Sequence, residues 1–149
     1  MYTIEQLAEL LKQENADFEL IRQEAPILSA KDAAPYYDIT RAAPTLVLQS
    51  DQGLAACILS ANRGRIDFEA LKSAFGFGKL KMADRGKVLS QTGYEVGAIP
   101  LVGLALDCIF DSALLEYDYI YGGTGDPLTT LKIAPGDVAR LNNVIGYLQ

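Results

Sequence analysis

The chain has 149 residues, half of them apolar and about a fifth charged, a composition typical of a single soluble globular domain. It contains no histidine, which excludes Ser-His-Asp triads, histidine general bases and histidine-containing zinc sites. Its formal net charge of −6 argues weakly against a general nucleic-acid-binding protein. No apolar run reaches the roughly 18–20 residues that cross a bilayer. The N-terminus also lacks the pattern of a signal peptide, so a cytoplasmic location without membrane contact is expected.

The N-terminal half of the sequence predicts both helices and strands. Thr3 and Gln6 form a capping box, and apolar residues at helical spacing extend this helix to about Asn15. Two apolar runs flank the turn sequence 50–53 and predict a β-hairpin. The other elements expected here are a strand within 17–23 and a short helix within 29–39 that Pro35 interrupts.

The C-terminal half continues this mixture. Asp67 predicts the N-cap of a helix that stops at Gly76, and Asp84 predicts a second helix that ends near Gly93. The mixture of helices and closely spaced strands favours one α+β domain, spanning 1–149, with an antiparallel or mixed sheet. The remaining expectations are a glycine-punctuated link at 75–82, a loop at 93–103, strands within 104–110, 117–121 and 129–133, a turn or short helical piece at 111–116, and a helix from Pro135 through Asn142.

Four side chains invite a chemical interpretation that the sequence does not favour. Cys57 and Cys108 each lie inside an apolar run, which is typical of reduced core thiols, and two cysteines alone cannot build a Cys₄ zinc site. Asp107 and Asp111 could form a carboxylate pair on one face of a regular strand. Asp111 also begins the sequence DSAL, an N-cap signature, and we favour the cap.

Two glycine-rich loops are better candidates for a binding site. The first, 93–103, is built of small residues that leave backbone N–H groups accessible to a carbonyl or an oxyanion, although a tight structural loop has the same composition. The second, 122–127, could cradle a phosphate or simply form a hairpin turn. It is neither a Walker motif nor a dinucleotide fingerprint, because no Gly-Lys-Ser/Thr follows and the loop precedes a strand.

Charge is distributed unevenly along the chain. Residues 63–87 contain seven Lys or Arg and three Asp or Glu, a net charge of +4, whereas the rest of the chain sums to −10. Such a segment can contact phosphates locally, or it can be an ordinary solvated helix face.

Seven motifs occur in an order that resembles a known family. In sequence they are PTLVL, RIDFEALKSAFG, KMAD, TGYEVGAIPLVG, FDSALLE, YIYGGTG and LKIAPGDVARL, and the similarity that they mark covers about Ala30 to Asn142. This order and spacing resemble the YbaK/prolyl-tRNA synthetase-associated domain family. The resemblance implies a single α+β domain with a barrel-like mixed sheet. It also implies aminoacyl-tRNA editing, in which the ester between a wrong amino acid and tRNA, typically tRNA(Pro), is hydrolysed without a metal or other cofactor.

The resemblance also assigns roles by position. Gly97, Ala98 and Pro100 would form the wall that recognises the aminoacyl group and polarises its carbonyl, and Asp111 matches an acidic family position. A water molecule would attack that carbonyl with help from the substrate's own groups. The expected substrate pocket comprises Pro44, Thr45, Gly97, Ala98, Pro100, Gly123, Thr124 and Gly125, and the lysines expected to contact the tRNA acceptor end are Lys79, Lys81 and Lys87.

Two departures from the family pattern concern the catalytic groups. The family lysine that anchors the substrate is replaced by Pro44, which has neither a charge nor an N–H donor. The family serine is replaced by Gly123, and the hydroxyl of the neighbouring Thr124 is expected to point elsewhere. The protein could be a deacylase acting in trans, with Lys31 or Arg41 as the substitute cation. Alternatively, it could bind an aminoacyl group or another small molecule without hydrolysis, or be an unrelated hydrolase or structural protein that shares only the fold.

Overall fold

A computed structural model describes the whole chain, residues 1–149. The α-helices are α1 (Ile4–Gln13), α2 (Ala30–Ala33), α3 (Phe68–Phe75), α4 (Arg85–Thr92) and α5 (Pro135–Leu141), with two 3-10 helices at Ile39–Arg41 and Ser112–Glu116. The strands are β1 (Phe18–Arg22), β2 (Thr45–Ser50), β3 (Gly53–Ile58), β4 (Leu80–Met82), β5 (Asp107–Asp111), β6 (Ile120–Gly123), β7 (Thr129–Ile133) and β8 (Asn143–Leu148).

The strands form two sheets. One is antiparallel and three-stranded, in the order β1-β7-β6, and the other is mixed and five-stranded, in the order β4-β2-β3-β5-β8. Within the larger sheet β4, β2 and β3 run antiparallel, while β5 pairs in parallel with both β3 and β8. Isolated parallel bridges, Ala42 to Tyr121 and Pro100 to Gly123, connect the end of β6 to segments beside the larger sheet. This arrangement confirms the predicted α+β fold with a mixed, barrel-like set of strands.

Helix boundaries follow the capping residues that the sequence predicts. The Thr3 side chain accepts a hydrogen bond from the Gln6 amide, and the Gln6 side chain accepts one from the Thr3 amide, which completes the capping box of α1. The carboxylate of Asp67 accepts two backbone amides at the start of α3, and Gly76 ends that helix in the left-handed conformation with φ of 73°. Asp84 occupies the N-cap position of α4 but makes no capping hydrogen bond through its side chain.

Two strands differ from the sequence-based prediction. The segment 75–82, expected to be a link, contains β4, which pairs with β2. The sequence did not predict this strand because its three residues are too few for an alternating pattern to be visible. No element was expected after Asn142, yet β8 forms the edge of the larger sheet. The β8 sequence contains Gly146, and a glycine within a segment argues against a strand. The structure explains this glycine, because a Cβ at position 146 would collide with the Phe75 ring.

The main core lies between α1 and the two sheets. Leu7 and Leu11 of α1 are fully buried in the same apolar cluster as Phe110 of β5. Cys57 and Cys108 are free thiols with no exposed surface, which confirms the predicted core positions. Burial raises the pKa of both thiols to about 12, so neither ionises at neutral pH. No helix combines the length and apolarity needed to span a membrane.

Candidate functional site

A cavity of about 290 Å³ lies where the two sheets meet. The N-terminal end of β2 contributes one wall, and the end of β6 with the start of β7 contributes the opposite one. More than half of its lining residues are hydrophobic, as is usual for a small-molecule site. The lining comprises residues 27–30, 42–46, 96–99, 121–123, 126–127 and 129–130, together with Tyr37 and Ala61.

Backbone hydrogen bonds bring these distant segments together. The Ala43 amide donates to the Tyr121 carbonyl at 2.8 Å, which fixes the entrance of β2 beside β6. The Ile27 amide donates to the Pro127 carbonyl at 2.8 Å and closes the segment before α2 over the loop between β6 and β7. The lining is therefore held by main-chain contacts that do not depend on which side chains point into the cavity.

Two glycines allow the backbones around the cavity to approach closely. Gly97 has φ of 97°, and a Cβ there would lie 2.6 Å from the Leu28 carbonyl oxygen. A Cβ on Gly123 would collide with the carbonyl oxygen of Ile99. Gly123 is thus a packing requirement of this chain, because the 96–99 loop occupies the space that a side chain would need.

The structure brings five of the eight predicted pocket residues into the lining and places the other three, Pro100, Thr124 and Gly125, outside it. Pro100 is buried behind the wall, where it forms the bridge to Gly123. Thr124 is 2% exposed, and its hydroxyl points away from the cavity lining, as the sequence predicted: it donates to the Thr129 carbonyl at the start of β7 and accepts the Asp126 amide. Gly125 packs under the Tyr94 ring, with φ of 94°. The five residues in the lining are Pro44, Thr45, Gly97, Ala98 and Gly123.

Two residues of the lining, Thr45 and Gly97, carry polar groups that have no hydrogen-bond partner in the chain. The Thr45 hydroxyl oxygen is buried and has no hydrogen-bond partner in the chain. A buried polar group without a partner costs about 1–3 kcal/mol, so this hydroxyl favours a bound ligand or water. The Gly97 amide also donates no hydrogen bond within the chain. A ligand that reached either group would break no hydrogen bond within the chain.

No lysine or arginine side chain lines the cavity. Arg41 lies just outside it, 2.6 Å from Asp118, with its guanidinium 4.4 Å from the centre of the Tyr119 ring. Lys31 is exposed on α2, next to Ala30 in the lining. Of the two predicted substitutes, Arg41 is already engaged by a carboxylate and an aromatic ring, whereas Lys31 makes no ion pair.

The only carboxylate in the lining belongs to Asp126. One of its oxygens accepts the Leu128 amide at 2.9 Å and the other accepts the Thr129 hydroxyl at 3.0 Å. The rings of Tyr37 and Tyr121 also line the cavity and stack with their centres 4.4 Å apart. Burial, and then the neighbouring Tyr121, raise the pKa of the Tyr37 phenol above its ordinary value, so the phenol is neutral at physiological pH.

The sequence matches the aminoacyl-tRNA editing domain over residues 24–141. The chain belongs to the aminoacyl-tRNA editing domain family. It is 26% identical over 106 residues to the uncharacterized protein YwhH of Bacillus subtilis (strain 168), a match that covers 70% of this chain and 67% of YwhH. The match to the editing domain over residues 24–141 confirms the family resemblance that the order of the seven motifs indicated.

Solved structures share the fold of this editing domain. Protein APE2540 superposes with a TM-score of 0.84 at 22% identity, covering 95% of this chain and 96% of that protein. A proposed trans-editing enzyme for prolyl tRNA synthetase superposes with a TM-score of 0.79 at 21% identity, covering 98% of this chain and 96% of that one. At these identities the superpositions establish the fold alone.

Asp111 of this editing domain has a structural role, as the sequence predicted. Asp107 binds the Asn143 side-chain amide at 2.7 Å instead of pairing with Asp111, which caps the second 3-10 helix at the Ala113 amide. Asp111 is fully buried and also accepts two hydrogen bonds from Arg63 and one from the Ser60 amide. Burial alone would raise its pKa, but the hydrogen bonds and the charge of Arg63 outweigh it and lower the pKa below the ordinary value.

The predicted tRNA-contacting lysines lie on one side of the editing domain. Lys79 and Lys81 are exposed at the edge strand β4, and Lys87 is exposed on α4. Helix α4 packs through Val88 into the cluster that contains Ile99 of the cavity wall. Their contact with tRNA stays a prediction. No group of three or more cysteine or carboxylate side chains is arranged to ligate a metal ion.

The predicted pocket contained only five of the 22 residues that line the cavity. It did not identify Tyr37, Asp126 or the 27–30 segment as lining residues. The only local signal was the Gly-Thr-Gly-Asp-Pro turn, whose Asp was interpreted as a turn former. The segments meet only through long-range backbone pairing, which a single sequence does not encode in any local pattern.

Proposed function

We propose that this editing domain is a free-standing aminoacyl-tRNA deacylase that acts in trans on mischarged tRNA of the tRNA(Pro) type. The cavity carries the proposal. Its volume of about 290 Å³ lies at the low end of the range of roughly 300–1,000 Å³ that is common for small-molecule sites. It would admit the amino acid and the terminal ribose, while the rest of the tRNA stays on the surface. Lys79, Lys81 and Lys87 are the candidates for phosphate contacts there.

The chemistry would be carried by positioning and by backbone donors. The ester carbonyl oxygen would accept a hydrogen bond from the free Gly97 amide. This hydrogen bond would stabilise the oxyanion as it forms. The Thr45 hydroxyl would hold a ribose or carbonyl oxygen. A water molecule adds to the carbonyl carbon, and the tetrahedral intermediate then expels the ribose oxygen, which takes a proton as the free amino acid leaves. In a chain without histidine, the substrate's own vicinal ribose hydroxyl is the nearest group to relay that proton.

Amino-acid release from a panel of mischarged tRNA(Pro) species tests this proposal. The purified protein should accelerate release from at least one small mischarged amino acid about tenfold or more over buffer, and leave correctly charged tRNA intact. Ala61 lines the cavity and is exposed, so Ala61→Phe should block release. The matched control is Ala74→Phe on α3, an exposed alanine outside the lining. Release at the buffer rate across the panel would overturn the proposal.

A specific observation favours a second candidate, a module that binds the aminoacyl end without hydrolysing it. No cation lines the cavity, and the position of the family lysine is Pro44, which is exposed at the cavity wall. Non-hydrolysable aminoacyl-adenosine analogues would then raise the melting temperature of a protein that shows no turnover. Pro44→Lys would place an ammonium group at the cavity. Hydrolysis by that variant and not by the parent chain would assign the protein to this second candidate.

A further inference from the structure

The electrostatic character of the cavity indicates which end of the aminoacyl group it recognises. Asp126 contributes the only charged side chain in the lining, and no cation is present there to neutralise it. A ligand that enters this cavity therefore meets one negative charge beside apolar and aromatic walls. Such a site favours a ligand with a positive charge. A neutral ligand would displace water from the Asp126 carboxylate without replacing the lost hydration energy, whereas a cation would pair with it.

The carboxylate of Asp126 retains free acceptor capacity. An ionised carboxylate offers about four lone-pair positions. The Leu128 amide occupies a position on one oxygen and the Thr129 hydroxyl occupies a position on the other, and both contacts stay within the loop between β6 and β7. After these two contacts, each oxygen of the Asp126 carboxylate still has a lone pair that could accept a hydrogen bond from an ammonium group.

We propose that Asp126 binds the α-ammonium group of the aminoacyl ligand and makes this editing domain selective for a free α-amino group. The inference rests on the proposed function, since it assumes that the aminoacyl group enters this cavity. Gly97 and Asp126 line the same cavity of about 290 Å³, so one amino acid could place its carbonyl beside Gly97 and its ammonium group beside Asp126.

This assignment has a consequence for substrate choice. Esters of tRNA that lack a charged α-amino group, such as N-acylated or α-hydroxy-acyl species, would leave the Asp126 carboxylate unpaired. The site would reject them although their carbonyls and riboses are the same. Selectivity would then rest on a charge-assisted hydrogen bond, which contributes roughly 10- to 100-fold in affinity.

Two nearly isosteric ligands test the assignment. In 3′-(L-alanyl)amino-3′-deoxyadenosine and its L-lactyl counterpart, an ammonium group is exchanged for a hydroxyl and the amide link prevents hydrolysis. The wild-type protein should bind the alanyl ligand at least about tenfold more tightly by calorimetry. Asp126→Asn should bind both ligands within about twofold of each other, because it keeps the shape and has lost the charge. Its oxygen can still accept the Leu128 amide, while its NH2 group would donate to the Thr129 hydroxyl instead of accepting from it.

The control and the possible outcomes separate this inference from the proposed function. Asp84→Asn changes the net charge equally at a side chain that makes no capping contact, and it should keep the wild-type preference. Equal affinity of the wild type for both ligands would overturn the role of Asp126 and leave the aminoacyl site intact. Binding of neither ligand would overturn both. An unchanged preference in Asp126→Asn would also overturn the assignment, and failure of this variant to fold would leave the wild-type comparison as the deciding one.

Discussion

Replacement of Thr45 by valine should stabilise the free protein and weaken its ligand. The Thr45 hydroxyl oxygen is buried without a partner, and valine has nearly the same shape and suits the first position of β2 equally well. Removal of an unpaired buried hydroxyl recovers part of a penalty of about 1–3 kcal/mol. We therefore expect the free energy of unfolding to rise by about 1 kcal/mol, or the melting temperature to rise by roughly 2–4 °C for a chain of this size.

The same substitution removes one hydrogen bond to the proposed ligand. A neutral hydrogen bond contributes about 0.5–1.5 kcal/mol, so the affinity for an aminoacyl-adenosine analogue should fall roughly 2- to 10-fold. Urea denaturation measures the first effect and calorimetry the second. A stability gain combined with an affinity loss is characteristic of a polar group reserved for binding.

Thr124→Val provides the matched control. Thr124 is also a buried threonine, but its hydroxyl donates to the Thr129 carbonyl at the start of β7 and accepts the Asp126 amide. Its replacement should lower the free energy of unfolding by about 1–3 kcal/mol. If Thr45→Val destabilised the protein to a similar extent, the Thr45 hydroxyl would have a partner in solution, and the reasoning would fail. An unchanged ligand affinity would remove Thr45 from the binding site.

The further predictions concern Asp111, Gly123 and the two cysteines. Asp111→Ala should lower the free energy of unfolding by about 3 kcal/mol in urea, because it leaves Arg63 and two backbone donors without their acceptor. Because the folded pKa of Asp111 is lowered, its stabilisation should be present above the unfolded value of about 3.9 and lost as pH falls through the folded value. Gly123→Ser should lower stability, measured by thermal melting, because a Cβ collides with the facing backbone. Cys57 and Cys108, with pKa values of about 12, should resist thiol reagents until urea unfolds the protein.

Each of these three predictions has a contradicting result. A loss below about 1 kcal/mol for Asp111→Ala would show that Arg63, which is 25% exposed, simply turns to solvent. A Gly123→Ser variant as stable as the parent would mean that the 96–99 loop shifts to make room. Labelling of either thiol within minutes under native conditions would indicate local opening of the core rather than the closed packing described.

Local signals in the sequence predicted the elements with strong chemical markers. The capping box at Thr3, the Asp67 cap and the hairpin around 50–53 follow from side chains that satisfy backbone groups within a few residues. The strands β4 and β8 were not predicted because their pairing partners, β2 and β5, are distant in sequence. Tertiary pairing determines such short edge strands, and local propensity carries little information about them.

The candidate site shows the same division. The glycine-rich wall at 97–98 and the entrance at Pro44 were predicted from motif order, and both line the cavity. Gly123 was interpreted as a lost serine, whereas the structure shows a glycine required by close backbone approach. Asp126 could not be identified because its turn-forming role and its position in the lining give the same sequence signal.

The most direct test of the central claim is a crystal structure of the protein with a non-hydrolysable 3′-aminoacylamino-3′-deoxyadenosine. The aminoacyl group should fill the cavity between Thr45 and Gly97, with its carbonyl oxygen within hydrogen-bond distance of the Gly97 amide. Its α-ammonium group should lie beside the Asp126 carboxylate. An aminoacyl group bound elsewhere on the surface, with the cavity free of it, would contradict the account.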